Sequence, residues 1–283
     1  MVNEIPISTV EKVEQLVSKH LRRWLGLPPS FTSVGLYGKI TKLQMPISSI
    51  VEEFKVAKAR LLLTLRDSED DKINSAGIEV RTGRKWSVSR AVESAESSLK
   101  HQDIVGTTNK GREGLGTRRR QRWEEASKQE KRALVQTEIR RGEEQTRSAK
   151  AVQLGAQGNW TKWNVPERKL TWQENWTYEP LQLSFLLRSI YDVLPTPTNL
   201  HQWKLTDDAT CPLCASTGSL RHIMSGCPVA LAQGRYRWRH DKVLGELAHA
   251  LEKERKKERK PQKRSQYIGF VKEGQQTAGS ATQ

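Results

Sequence analysis

The residues best suited to chemistry in this chain are its three cysteines, all of which fall between positions 211 and 227. They stand as Cys211-Pro212-Leu213-Cys214, followed after seven residues by His222 and after four more by Cys227. A Cys-x2-Cys turn delivers two thiolates to one cation at about 2.3 Å each. Gly218 lets the chain turn back, and His222 and Cys227 then complete a tetrahedron from a short following helix. Gly226 and Pro228, beside Cys227, suit a compact turn. Three thiolates and one imidazole leave no open coordination position, which predicts structural Zn²⁺ and not a catalytic ion. His240 is the one competitor for His222. It sits on the apolar stripe of the next helix and reads as a buried neutral histidine. An odd number of cysteines without an export signal argues against a disulfide framework.

Helices must position this set. Val10, Val13, Val17, Leu21 and Trp24 recur at spacings of three and four, predicting a helix over 8–26 that ends at Gly26 and Pro28-Pro29. A second helix is expected over 48–66, with Val51, Phe54, Ala57 or Lys58, Leu61, Leu62 and Leu65 buried and Ser49-x-x-Glu52 as a capping box. A short helix over 88–104 and a glycine-rich linker over 105–118 follow. The segment 119–157 is helix-permissive, but between 124 and 151 only Leu134, Val135 and Ile139 are large and apolar. It is expected to be a solvent-exposed or RNA-contacting helix. Trp160, Trp163, Trp172 and Trp176 read mostly as core anchors. Leu181, Phe185, Leu186, Ile190, Tyr191 and Leu194 mark an apolar helix over 179–193. Over 234–258, Tyr236, His240, Val243, Leu244, Leu247 and Leu251 share a stripe of about 100°, with Trp238 and several cations opposite.

The expected fold is mainly α: an extended multi-helix arrangement with a small CCHC zinc-knuckle subdomain. Its parts would be a helical region at 1–104, the linker and long charged helix at 105–158, a helical zinc region at 159–260 and a disordered tail at 261–283. No run of 18 apolar residues exists, so no membrane span is expected. The N-terminus lacks a secretory pattern, so an intracellular, nuclear location is expected. The acidic group Glu69-Asp70-Asp71 reads as a solvated turn.

The formal charge is +16, and it is concentrated. Residues 110–150 contribute a net +6 and residues 231–272 a net +8. Clustered cations point to a polyanion, because each Lys or Arg on a phosphate releases a counterion. The candidate contacts to RNA or DNA are Arg118, Arg119, Arg120, Arg122, Arg235, Arg237, Trp238, Arg239 and Lys242, with Trp238 available for stacking. No paired acids, Ser/His/Asp set or phosphate-cradling glycine loop is recognisable, so no catalytic centre is expected. A protein-interaction adaptor on the same zinc-stapled scaffold is the alternative.

Two segments resemble a known family. Leu21-Arg22-Arg23-Trp24-Leu25-Gly26-Leu27-Pro28 resembles the segment just after the polymerase palm of LINE-type (non-LTR) retrotransposon proteins. Asp192-Val193-Leu194-Pro195, Asn199-Leu200, Trp203, the Cys-Cys-His-Cys set and Gly234-Arg235-Tyr236-Arg237-Trp238-Arg239-His240-Asp241 resemble their C-terminal zinc-knuckle region. The likeness is greatest to elements bearing a restriction-like endonuclease and covers about residues 16–272. It implies a reverse-transcriptase thumb, a helical linker and a knuckle ligated by Cys211, Cys214, His222 and Cys227, which together help hold template RNA and target DNA. The family's aromatic-x-Asp-Asp polymerase turn and its Pro-Asp…Glu-x-Lys nuclease set are both missing. The resemblance therefore implies a piece of such a protein without either catalytic centre; a third reading is an enzyme fragment that works only with the missing polymerase or endonuclease segments in trans.

Overall fold

Two serines start the helices that organise the first part of the chain. Ser49 accepts from the backbone N–H of Glu52 and opens α3 (Ile50–Arg66), and Ser127 forms a reciprocal capping box with Glu130 that opens α6 (Lys128–Gln153). In the computed structural model, which describes residues 5–105, 107–108, 117–118 and 122–258, these helices are the frame on which the others pack. In order, the chain forms α1 (Ile7–Trp24), α2 (Val34–Tyr37), β1 (Leu43–Gln44), α3, α4 (Asp71–Ser75), α5 (Val88–Val105), β2 (Thr107–Thr108), β3 (Thr117–Arg118) and α6. A 3₁₀ helix (Gly155–Lys162), β4 (Arg168–Lys169), α7 (Trp172–Thr177) and α8 (Pro180–Ile190) follow. The remainder is α9 (Pro197–Gln202), a π turn (His222–Gly226), α10 (Pro228–Ala232) and α11 (Arg237–Glu258). The protein is mainly α. Its few strand residues pair as β1 with β4, in parallel, and β2 with β3, antiparallel. Among the described residues no helix is long and apolar enough to cross a membrane.

The chain divides into two units at Pro195/Thr196, not at 104/105 and 158/159 as expected from the sequence. The reason lies in α6, which joins two cores of the first unit. Its Val135 and Ile139 lie in a core with Val56, Ala59 and Leu63 of α3 and Val88, Val92, Ala95 and Leu99 of α5. Its Ala151 lies in a second core with Phe31, Leu36, Tyr37, Trp160, Leu170, Leu187 and Tyr191. Residues 159–195 thus complete the first unit, and α6 is a central, packed helix and not an exposed one.

Polar groups hold α6 where aliphatic residues are few. Buried Glu144 accepts from the backbone N–H groups of Lys39 (2.7 Å) and Ile40 (2.8 Å). Buried Glu52 of α3 meets Arg140 (3.1 Å) and Arg147 (2.6 Å) of α6 and Lys39 (2.8 Å). Arg132 pairs with Asp67 at 2.8 Å and Lys55 with Glu143 at 2.6 Å. Much of the cationic charge of 128–150 therefore answers carboxylates of this chain. Because α6 begins in a two-sided cap, Ser127→Ala is expected to lower stability by about 1 kcal/mol, read as a lower urea midpoint of the first unit. An unchanged midpoint would mean that packing on α3 and α5 alone holds its first turn.

Several expected burial faces are rotated. In α3 the buried residues are Glu52, Val56, Ala59 and Leu63, one position off the predicted stripe, and Leu61 is exposed. In α1 they are Ile7, Val10 and Ser18, whereas Val13 and Trp24 face outward. In α8 they are Leu183, Ser184 and Leu187, and Leu181 and Phe185 are exposed. Of the four tryptophans between 160 and 176 only Trp160 is buried. The acidic group is exposed at a helix start: Glu69 and Asp70 precede α4, which Asp70 caps, and Asp71 is its first residue.

The second unit has a small core of Cys211, Cys227 and Ala230, with Leu213, Cys214, Val229 and Tyr236 packed on it. Along α11 Val243, Leu244, Leu247 and Leu251 form the expected stripe, but all four are exposed. His240 is exposed as well, not buried, with Nδ1 3.1 Å from Asp241.

Candidate metal centre and the cationic helix that follows it

A tight turn creates the thiolate pair. Thr210 and Thr217 form a β-bridge, the Cys211 N–H donates to Ser216 O at 2.6 Å, and the Ala215 N–H donates to Cys211 O at 2.9 Å. Ala215 closes the turn at φ 55°, in the left-handed region. Gly218 is required by close approach, since a Cβ there would stand 2.7 Å from the Pro197 side chain of α9. The π turn then presents His222, and Cys227 comes at the cap of α10, where its sulfur also accepts from the Ala230 N–H at 3.5 Å.

The result is one cluster. The ligating atoms of Cys211, Cys214, His222 and Cys227 all lie within 4.8 Å of one another, close enough to hold a metal ion. Cys211 Sγ and Cys227 Sγ are 4.0 Å apart, and Cys214 Sγ and His222 Nε2 are 3.1 Å apart. A tetrahedron with metal–sulfur bonds of 2.3 Å has edges of about 3.8 Å, so the set needs only small adjustments to close on an ion. The backbone N–H and hydroxyl of Ser216 lower the Cys214 thiol to about 6. At Cys227 the Ala230 N–H pulls downward, but burial and the Cys214 and Cys211 thiols outweigh it and the net direction is up.

Tyr236, expected on the apolar stripe, and Arg239 tie the cluster to α11. Tyr236 Oη accepts from the Cys227 N–H at 3.3 Å and donates to Ile223 O at 3.1 Å. The Arg239 guanidinium lies 4.7 Å from the Tyr236 ring centre and donates to Met224 O and Met224 Sδ. Arg239, expected to face nucleic acid, is thus half-buried in a contact that joins α11 to the π turn. The Gly234-Arg-Tyr-Arg-Trp-Arg string was the available signal, but the helical stripe did not distinguish Tyr236 as a polar bridge.

The other candidate contacts are scattered. Arg235 is exposed and donates to Gln233 at 2.7 Å, and Arg237, Trp238 and Lys242 are exposed. In the first unit Arg122 is exposed, with its backbone N–H on Asp103 at 3.1 Å. Its neighbour Trp123 is buried under Lys131. Arg118 ends β3, and Arg119 and Arg120 lie outside the described residues, as does the expected tail at 261–283. On α11, Gly245 is mid-helix with open space where a Cβ would stand, although glycine there costs about 1 kcal/mol relative to alanine.

Comparison with protein-family models, with curated proteins and with solved structures gives no match for this chain.

Proposed function

We propose that the protein is a zinc-stabilised nucleic-acid-binding module, a fragment of a retrotransposon reverse-transcriptase-type protein that carries neither the polymerase nor the endonuclease centre. One observation carries the reading: a closed Cys₃His donor set is joined through Tyr236 and Arg239 to the start of a helix whose Arg237, Trp238 and Lys242 face solvent, as does Arg235 in the turn before it. The donor set favours Zn²⁺, because thiolates and imidazole at four closed positions match structural zinc better than any hard cation. The ion would hold the turn and the helix start together, and the exposed cations would meet phosphates with little base readout. The family resemblance of the knuckle ligands supports the same reading, and a nuclear location would follow from it.

The test takes one sample through two measurements. Zinc analysis of the purified chain is expected to give one ion per molecule. Titration with RNA and with DNA is expected to show affinity that falls steeply with salt, with a log–log slope set by the number of phosphates neutralised. Metal-free material or salt-independent affinity would sink the proposal.

A second reading, a protein-interaction adaptor, is favoured by the exposed Val243, Leu244, Leu247 and Leu251 stripe. Its mark would be a defined protein complex that persists after nuclease digestion.

A further inference from the structure

At 100° per residue, Trp238, Lys242, Gly245, His249, Lys253 and Lys256 of α11 fall within a stripe of about 80°, some 27 Å long. All six are exposed, Trp238 at 69%. No carboxylate belongs to the stripe. Glu246 and Glu252 border it, and Glu252 is engaged by Arg255 at 2.7 Å and reaches Lys256 at 3.9 Å. Among the described residues Lys242 and Lys253 have no carboxylate within 4.0 Å. The stripe lies opposite the Val243–Leu251 apolar residues, so the two faces of the helix are chemically distinct.

Resting on the nucleic-acid reading above, we infer that this face of α11 takes single-stranded nucleic acid. Three features favour a strand over a duplex. The Trp238 indole stands uncovered at one end of a cationic track, and an indole reaches the face of a base only where that base is unstacked. In a duplex the base faces are occupied by their neighbours, and wedging them apart is costly. The stripe also lacks the Asn, Gln and Arg side chains that read base edges in a groove: Arg237 and Arg239 project elsewhere, and Arg239 is held by Met224 and Tyr236. Gly245, where a Cβ would meet nothing within 4 Å among the described residues, leaves a gap where a sugar-phosphate chain can approach the backbone. The lysines then meet successive phosphates while the indole stacks, a mode that tolerates any base sequence.

The zinc-loaded full chain is titrated with fluorescent oligouridylate and oligothymidylate of about 20 nucleotides, and with mixed-sequence RNA and DNA duplexes of the same length. Single strands are expected to bind roughly tenfold or more tightly than duplexes at equal salt. Trp238→Ala is expected to weaken single-strand binding by about tenfold and to leave duplex binding nearly unchanged. Trp238 is exposed, so the variant keeps its fold. Lys242→Gln with Lys253→Gln is expected to reduce the log–log salt slope for single strands by about 1.4. A preference between the two homopolymers would identify RNA or DNA as the ligand, and equal binding would mean that stacking and phosphate alone are read; both support the inference. Duplexes binding as well as single strands, or a Trp238→Ala variant that binds single strands normally, would overturn it while leaving the nucleic-acid reading intact. Loss of binding to every probe would overturn both.

Discussion

Chelation of zinc from the purified chain is expected to unfold the second unit and leave the first folded. The asymmetry follows from the two cores. The first unit buries aliphatic and aromatic side chains in two clusters that share α6. The second buries little beyond Cys211, Cys227 and Ala230. So small a core cannot offset the backbone entropy of ordering the turn, α9 and α10. Metal ligation contributes about 10 kcal/mol or more in small zinc domains, enough to decide whether this unit folds. Without it α11 loses its Tyr236 and Arg239 attachments and, with its apolar stripe exposed, keeps little of the tertiary packing from which most helical stability in proteins comes. Hydrogen exchange is expected to show protection lost across 196–258 and retained in α3, α5 and α6. Cys227→Ser separates ligation from capping, because a serine oxygen can still accept from the Ala230 N–H but is a poor zinc ligand. It should reproduce the effect of chelation. Full protection of 196–258 in chelator, or in Cys227→Ser, would show that the unit folds without a metal.

The donor set was legible because it uses every cysteine in the chain within one short segment, where no competing pattern obscures it. Helix positions were legible for a similar reason: Ser49 and the Pro28-Pro29 break are local signals, and the helices form close to them. Burial was less legible. A search for aliphatic periodicity treats carboxylates as outward-facing, yet Glu52 and Glu144 are core residues here, and Ser18 is buried against the Tyr37 hydroxyl at 2.8 Å. Including Glu52 shifts the phase of α3 by one residue, onto Val56, Ala59 and Leu63. The same blindness made α6 look exposed, because the groups that bind it to α3 are arginines meeting carboxylates distant in sequence. Charge counting then assigned to an external polyanion cations that fold the protein. At α11 the apolar pattern was correctly seen, but pattern alone does not say whether a partner face exists within the chain.

The same buried carboxylate supports the strongest stability prediction for the first unit. Glu52→Ala is expected to destabilise it by about 3–5 kcal/mol, whereas Glu53→Gln should cost less than about 1 kcal/mol. Both residues bind Arg140, but Glu53 is exposed and Glu52 is 1% exposed, shared among Lys39, Arg140 and Arg147. Removing Glu52 leaves Arg147, itself largely buried, with Glu144 at 3.1 Å as its remaining carboxylate among the described residues. The pH dependence follows from the direction of the shift. Burial opposes ionisation of Glu52, but hydrogen bonds from Lys39 and Arg147 outweigh it and hold the carboxyl below its ordinary 4.5. A depressed carboxyl contributes stability that is fully present above the unfolded value and is lost as pH falls through the folded one. Asp67 and Glu138 are depressed too, by Arg132 and Arg141 against the cost of burial. The wild-type unit should therefore lose stability below about pH 4.5. Glu52→Gln should lose less over the same range, so that the difference between the two proteins narrows in acid. Urea denaturation of both proteins between neutral and acidic pH checks this. A difference that stays constant with pH would mean that the loss at Glu52→Gln comes from packing and not from the charge that joins α3 to α6.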